Sequence, residues 1–317
     1  MDREEKTNGL VIAAHGRQYR VLLDEGEVLL CGARGKKNDA VCGDRVWARL
    51  TGEAAAQKNG DAADALRLGV IEWIGARKTL FYRSNAFRQK RIAANVDQAL
   101  LLVATIPAFS VEILERCRIA AHAENISCLV ALNKCDCTER LPAAREKLRI
   151  LQGTDVEIME ISALDKKAVA RQLLPRLEGK RTLLAGQSGM GKSTLINALI
   201  PSARAETGDI STALDSGRHT TTAARLYALL GHKGGGLIDS PGLQAFGLGH
   251  VRFAELEAAF AEFHDYLGRC RFRDCRHWKE PGCALTAAAE RGEIAMPRLD
   301  LFRALSQEIA DGVRQSQ

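Results

Sequence analysis

No apolar run in this chain is long enough to cross a membrane. The longest, Ala99 to Phe109, falls well short of the ~18 residues a spanning helix needs. A secretory leader is missing too: the opening MDREEKTNG is too polar and acidic for one. A soluble, cytoplasmic protein is expected. Nine cysteines are an odd number scattered over a long chain, which argues against a disulfide framework and for reduced thiols or metal ligands. A strong charge of one sign is also lacking. Net charge is only +6, so bulk electrostatics alone do not indicate nucleic acid.

What is present is ordinary for a folded protein: 317 residues, 46% apolar and 26% charged, enough for two or three domains. The positive charge is unevenly placed. Arg77 to Arg91 holds six basic residues and no acidic one, interleaved with Phe81, Tyr82 and Phe87, and Arg269 to Lys279 holds five basic residues against one acid. Lys and Arg bind phosphates by releasing counterions and aromatics stack on bases. A solvated charged face is the equally weighted alternative for either stretch.

Three rhythms divide the chain. Up to about residue 80, short β-rich runs (Leu10–Ala14, Tyr19–Leu23, Val28–Leu30, Arg45–Leu50, Leu68–Trp73) are separated by Gly, Asp and Asn. Five such runs predict a small closed barrel, of OB or SH3-like type. From about Asn95, buried apolar runs alternate with helical stretches at Val111–Asn125, Ala143–Leu151, 165–177 and Lys192–Leu199. That alternation predicts a parallel sheet with helices on both faces. In the last segment Phe253, Leu256, Phe260, Phe263 and Leu267 keep the spacing of an amphipathic helix. A cysteine-rich stretch follows, then a final helix opened by Pro297 and carrying Leu299, Phe302, Leu305 and Ile309. A segment with so little core of its own needs a staple. The divisions expected are 1–80, a small barrel; 81–249, an α/β domain; and 250–317, a helical domain with a cysteine-rich stretch.

"GQSGMGKST" fits the phosphate-loop pattern G-x-x-x-x-G-K-[ST]. Gly186, Gln187, Ser188, Gly189, Met190 and Gly191 would turn backbone N–H groups toward phosphate oxygens. Lys192 would reach the β and γ phosphates, the Ser193 hydroxyl would hold Mg²⁺, and Thr194 follows. "LIDSPG" places Asp239 behind the Mg²⁺ and the Gly242 N–H on the γ-phosphate. Between them "GRHTTT" offers a threonine to close over Mg²⁺. Thr221 is the choice, with Thr220 and Thr222 open alternatives.

"LVALNKCD" ends an apolar strand with Asn133, Lys134 and Asp136. Asp136 can accept from both N1–H and the 2-amino group of guanine, a donor pair that adenine lacks. Asn133 would bond the other edge and the Lys134 stem would cover the base. "ISA", with Ser162 and Ala163, follows the next strand, and the Ala163 N–H would meet guanine O6. These motifs run in the order base, base, phosphate loop, threonine switch, Asp-x-x-Gly. That is a circular permutation of the usual GTPase order, which is tolerable because domain termini often lie close together. It places the loop around Gly242 directly upstream of the C-terminal segment. There Cys270, Cys275, His277 and Cys283 form C-x4-C-x-H-x5-C, three thiolates and an imidazole suited to a closed structural zinc site.

Together, "VCGDRV", "IAANVDQALLLVA", "NKCD", "GQSGMGKSTLIN", "GRHTTT", "DSPGLQAFGL" and the cysteine–histidine cluster resemble the ribosome small-subunit-dependent GTPases, the RsgA/YjeQ family, over nearly the whole chain. The resemblance implies an OB-fold, a permuted GTPase domain and a zinc-binding helical domain. It implies a monomeric enzyme that hydrolyses GTP to GDP on the small ribosomal subunit late in its maturation, with the outer domains on rRNA. It further implies that His219 of "GRHTTT" is catalytic, because Leu243 stands where Ras-like GTPases have a water-orienting Gln and Gln244 is one residue out of register. Two other classes of function fit parts of the chain: an ATP-dependent enzyme on a small molecule, and an RNA-binding scaffold with a structural nucleotide.

Overall fold

The computed structural model describes residues 6–33, 39–55, 66–84, 89–201, 203, 224–229, 235–240 and 246–315. Five strands, β1 (Lys6–His15), β2 (Gln18–Leu23), β3 (Val28–Ala33), β4 (Arg45–Ala55) and β5 (Leu66–Ile74), come first. Their alternating side chains bury Val11, Tyr19, Val21, Leu29, Val46 and Ile71 in one core. β1 pairs antiparallel with β2 and β4, β3 pairs parallel with β5, and β4 pairs antiparallel with β5. The circuit 1-2-3-5-4-1 closes the barrel and gives it OB topology, which resolves the alternative the sequence left open.

A two-stranded hairpin, β6 (Leu80–Ser84) and β7 (Gln89–Ala94), follows. It occupies much of the first basic stretch, and several side chains there have partners inside the fold. Phe81 is fully buried and packs 5.5 Å from Phe246. Arg77 is bidentate on the buried Asp44 of the barrel, and Arg91 pairs with Asp39. Arg77, Arg91 and Phe81 are thus engaged within the fold, while Lys78 and Lys90 are exposed.

The second sheet holds β8 (Gln98–Ala104), β9 (Ser127–Asn133), β10 (Glu157–Glu160), β11 (Arg181–Gly186), β12 (Ala224–Leu229) and β13 (Gly235–Asp239), in the order 10-9-8-11-13-12. All neighbours are parallel except the β12–β13 pair. β8 is buried along its whole length, the pattern of a strand covered on both faces. Helices α1 (Val111–Ala123), α2 (Leu141–Leu148), α3 (Lys166–Leu177) and α4 (Lys192–Leu199) supply the cover. Ser110 caps α1 by accepting from the Ile113 N–H, and Asp165 caps α3 by accepting from Ala168; each such cap is worth about 1 kcal/mol. β1 also pairs antiparallel with β12, Ala13 opposite Arg225 and Ala14 opposite Ala224, so barrel and α/β sheet form one run of eleven strands.

The C-terminal part holds α5 (Phe253–Ala258), α6 (Ala284–Glu290) and α7 (Met296–Gln315). The continuous helix expected over Phe253–Leu267 is broken after Ala258. Arg118 of α1 donates to the Ala259 carbonyl at 2.7 Å, taking an acceptor a continuing helix would use. The chain turns, Phe260 stacks on Phe263 at 4.9 Å, and both meet Phe302 of α7 edge-on. The apolar spacing therefore still reports burial, as all three rings are fully enclosed. Each contributes about 1.5–3 kcal/mol of hydrophobic stabilisation. No helix among the described residues is long and apolar enough to cross a membrane.

Candidate functional site

Parallel α/β sheets bind ligands beyond the carboxyl ends of their strands, and this sheet gathers its motifs there. Asn133 ends β9, Gly186 ends β11, Asp239 ends β13, and Ser162–Ala163 follow β10. Motifs from both ends of the domain's sequence thus meet along one edge.

The buried Asn133 is the keystone. Its Oδ1 accepts from the Ala163 N–H at 2.9 Å and its Nδ2 donates to the Met190 carbonyl at 2.9 Å. It thereby joins the "ISA" turn to the phosphate loop. Gly191, at φ +95°, has to be glycine on two counts: the left-handed backbone, and a Cβ that would lie 2.4 Å from Asn133 Nδ2. Lys134 extends over the same loop, donating its Nζ to Ile106 O and Gly189 O, both at 2.8 Å. Asp136 stands exposed beside them. Ser162 Oγ donates to its Oδ1 at 2.6 Å, and that hydrogen bond holds the carboxyl below its usual range.

Lys192 begins α4 and folds back over the phosphate loop, donating Nζ to Gly186 O at 2.9 Å and Gln187 O at 3.2 Å. Burial lowers its pKa, opposed by Asp239. Asp239 itself is almost fully enclosed, and burial pushes its carboxyl up to about 6 despite Lys192. Its Oδ1 is buried with no hydrogen-bond partner among the described residues, an acceptor left open that a hydrated cation could use. Ser193 and Thr194 lie exposed on the first turn of α4, and Ser188 and Gly189 are exposed at the loop tip. His219, Thr221 and Gly242 lie outside the described residues, as do Thr220, Thr222, Leu243 and Gln244.

The second cluster is in the C-terminal part. Cys270, Cys275, His277 and Cys283 bring their donor atoms within 4.8 Å of one another. His277 Nδ1 is 3.5, 3.6 and 3.4 Å from the three Sγ atoms in that order. A tetrahedral zinc with bonds of about 2.3 Å to sulfur and about 2.0 Å to nitrogen separates sulfur from nitrogen by about 3.5 Å. The residues fit a metal of that kind, with no position left for a substrate.

A family model described as RsgA GTPase matches residues 74–249. This chain belongs to the RsgA GTPase family. Its curated relatives include proteins named small ribosomal subunit biogenesis GTPase RsgA. That of Burkholderia pseudomallei strain K96243 is 48% identical over 312 residues, 98% of this chain and 95% of the relative. That of Paraburkholderia phymatum is 45% identical over 313 residues, 98% and 94% of the two chains. Among solved structures, YjeQ from Thermotoga maritima superposes with a TM-score of 0.67 at 29% identity, covering 96% of this chain and 99% of the other. YloQ, described as a circularly permuted GTPase, gives 0.63 at 24% identity and 98% coverage of both, a likeness of fold.

Membership in the RsgA family makes the protein a GTP hydrolase on a permuted fold. Two residues that hold the RsgA-type site, Ser110 and Thr105, carry no motif and were invisible in the sequence. Gln187 Oε1 accepts from the Ser110 N–H at 2.7 Å, tying the phosphate loop to the start of α1. Thr105 donates its hydroxyl to Lys134 O at 2.9 Å, fixing the base loop to β8. The partners are 77 and 29 residues apart, and no local signal marks either.

Proposed function

We propose that this GTPase acts on the small ribosomal subunit late in its maturation, reads guanine through Asn133, Lys134 and Asp136, and is activated by the subunit. The observation that carries the nucleotide reading is the Asn133 bridge between Ala163 and Met190, which holds base-reading and phosphate-binding loops in one unit. The names of the relatives supply the subunit. Mg²⁺, held by the Ser193 and Thr221 hydroxyls with Asp239 behind, would neutralise phosphate charge. Lys192 would turn from its two carbonyls to the phosphates. His219 and Thr221 would complete the site when the protein is bound to the subunit. Leu243 cannot orient water, so intrinsic hydrolysis is slow. Single-turnover GTP hydrolysis should accelerate several-fold or more with purified small subunits and not with large ones. Equal rates would contradict activation.

The rRNA reading rests on two surfaces. Arg269, Arg271, Arg273, Arg276 and Lys279 are exposed on the cysteine knuckle around Phe272, itself 42% exposed. On the barrel, Trp47 and Trp73 face each other across β4 and β5 with centroids 4.9 Å apart, 45% and 49% exposed. Charge and stacking predict different signatures. Replacing Arg271 and Arg273 by alanine should weaken subunit binding and make its salt dependence shallower, by roughly one unit of slope per lost phosphate contact. Trp47→Ala should weaken binding by about 1–3 kcal/mol per stacked base with the slope unchanged. Binding titrations across a salt series check both. Zinc, in the Cys270–Cys275–His277–Cys283 cluster, would be structural and hold the knuckle in shape.

A further inference from the structure

Beyond the four donor residues, a carboxylate from outside the knuckle reaches the cluster. Glu257, on α5, places Oε1 2.9 Å from His277 Nε2. His277 is otherwise locked in place. Its carbonyl accepts from Arg303 Nε at 2.8 Å. Its ring lies parallel to Phe253 and close to Phe302, and its backbone is held at φ +62°. The ring is buried, with Nδ1 toward the three sulfurs and Nε2 toward the carboxylate.

We infer that Glu257 is the outer-sphere carboxylate of the metal site, a positioning residue that sets the tautomer of His277 and ties the metal to α5. The chemistry is specific. An imidazole that ligates through Nδ1 has to leave that nitrogen bare, so its one proton sits on Nε2. A carboxylate at 2.9 Å accepts that proton's hydrogen bond, disfavours the other tautomer and raises the basicity of Nδ1. Loss of such a partner lowers metal affinity by about 10–100-fold. The position of Glu257 gives the contact a wider meaning. It comes from the short helix that follows the Gly242 segment, not from the knuckle's own 270–283 loop. Metal occupancy and the path leaving the γ-phosphate loop therefore share one hydrogen bond.

This rests on zinc occupying the cluster, and the experiment separates the two. Full-length protein is stripped of metal, then titrated with Zn²⁺ against a chromophoric chelator, for wild type, Glu257→Gln and Glu257→Ala. Glu257→Ala is expected to bind Zn²⁺ 10–100-fold more weakly. Glu257→Gln, whose amide oxygen still accepts from Nε2–H, should retain most of the affinity. In the zinc-loaded wild type, nitrogen-15 shifts of His277 should report the Nε2–H tautomer whatever the variants do. Wild-type affinity in Glu257→Ala, or an Nδ1–H tautomer, would overturn the positioning role while leaving zinc in place. A wild-type protein with no measurable Zn²⁺ affinity would overturn the zinc reading and this inference with it.

Discussion

Asp136→Asn is expected to exchange a preference for guanine nucleotides for a preference for xanthine nucleotides. Guanine offers two donors, N1–H and the 2-amino group, to one carboxylate. Xanthine offers N1–H and a carbonyl, which match the oxygen and the amide of asparagine. A site built on such bonds rejects the ligand lacking them by about 10⁴ or more, because a buried group is left unpaired. The carboxyl is prepared for this role. The Ser162 hydroxyl donates to its Oδ1 and keeps it ionised. Asparagine retains an acceptor for Ser162, and the Asn133 bridge to Ala163 and Met190 does not involve position 136, so the fold should be unaffected. Competition of GTP against xanthosine triphosphate measures the switch. An unchanged preference for GTP would remove Asp136 from the base site.

The second large effect is on stability. Glu115 of α1 is completely buried. Arg118 donates to it twice at 3.0 Å, and Arg298 of α7 donates at 2.5 Å. Arg298 also donates to Glu262 at 2.5 Å. Burial alone would raise the Glu115 pKa, but the two guanidinium groups outweigh it and the net direction is down. Glu115→Ala leaves two buried arginines facing each other with one acid between them, and should cost about 3–5 kcal/mol. A urea titration followed by far-ultraviolet circular dichroism would show the midpoint fall. A loss under about 1 kcal/mol would mean that the arginines find other partners or water. Because the folded pKa is depressed, the contribution is present above the ordinary carboxylate range. It is lost as pH falls through the depressed value.

The sequence was most legible where chemistry is local. A phosphate loop is nine consecutive residues, and its strand before and helix after are periodic on their own, so α4 was bounded correctly from Lys192 to Leu199. The permuted order was legible because each motif stands at a strand end. What stayed hidden depended on distant partners. In the Arg77–Arg91 stretch, Arg77 and Arg91 are answered by Asp44 and Asp39 and Phe81 by Phe246, partners that no local pattern marks. Glu115 and Arg118 are three residues apart on a helix, a spacing shared with solvent-exposed pairs, and carry no sign of burial in the sequence. Arg298, 183 residues from Glu115, makes them a core element. The break after Ala258 follows from the same Arg118 claiming a carbonyl. Barrel type rested on one parallel pairing, β3 with β5, which alternation within strands cannot reveal.

The pairing of β1 with β12 has a mechanical meaning. Ala224 and Arg225, the first described residues after the threonine loop, are bonded to Ala14 and Ala13 of the barrel. A tilt of the barrel cannot leave that end of the loop behind without breaking the pairing. Barrel and nucleotide edge are therefore parts of one continuous sheet, joined through β1 and β12 and not through the cysteine knuckle.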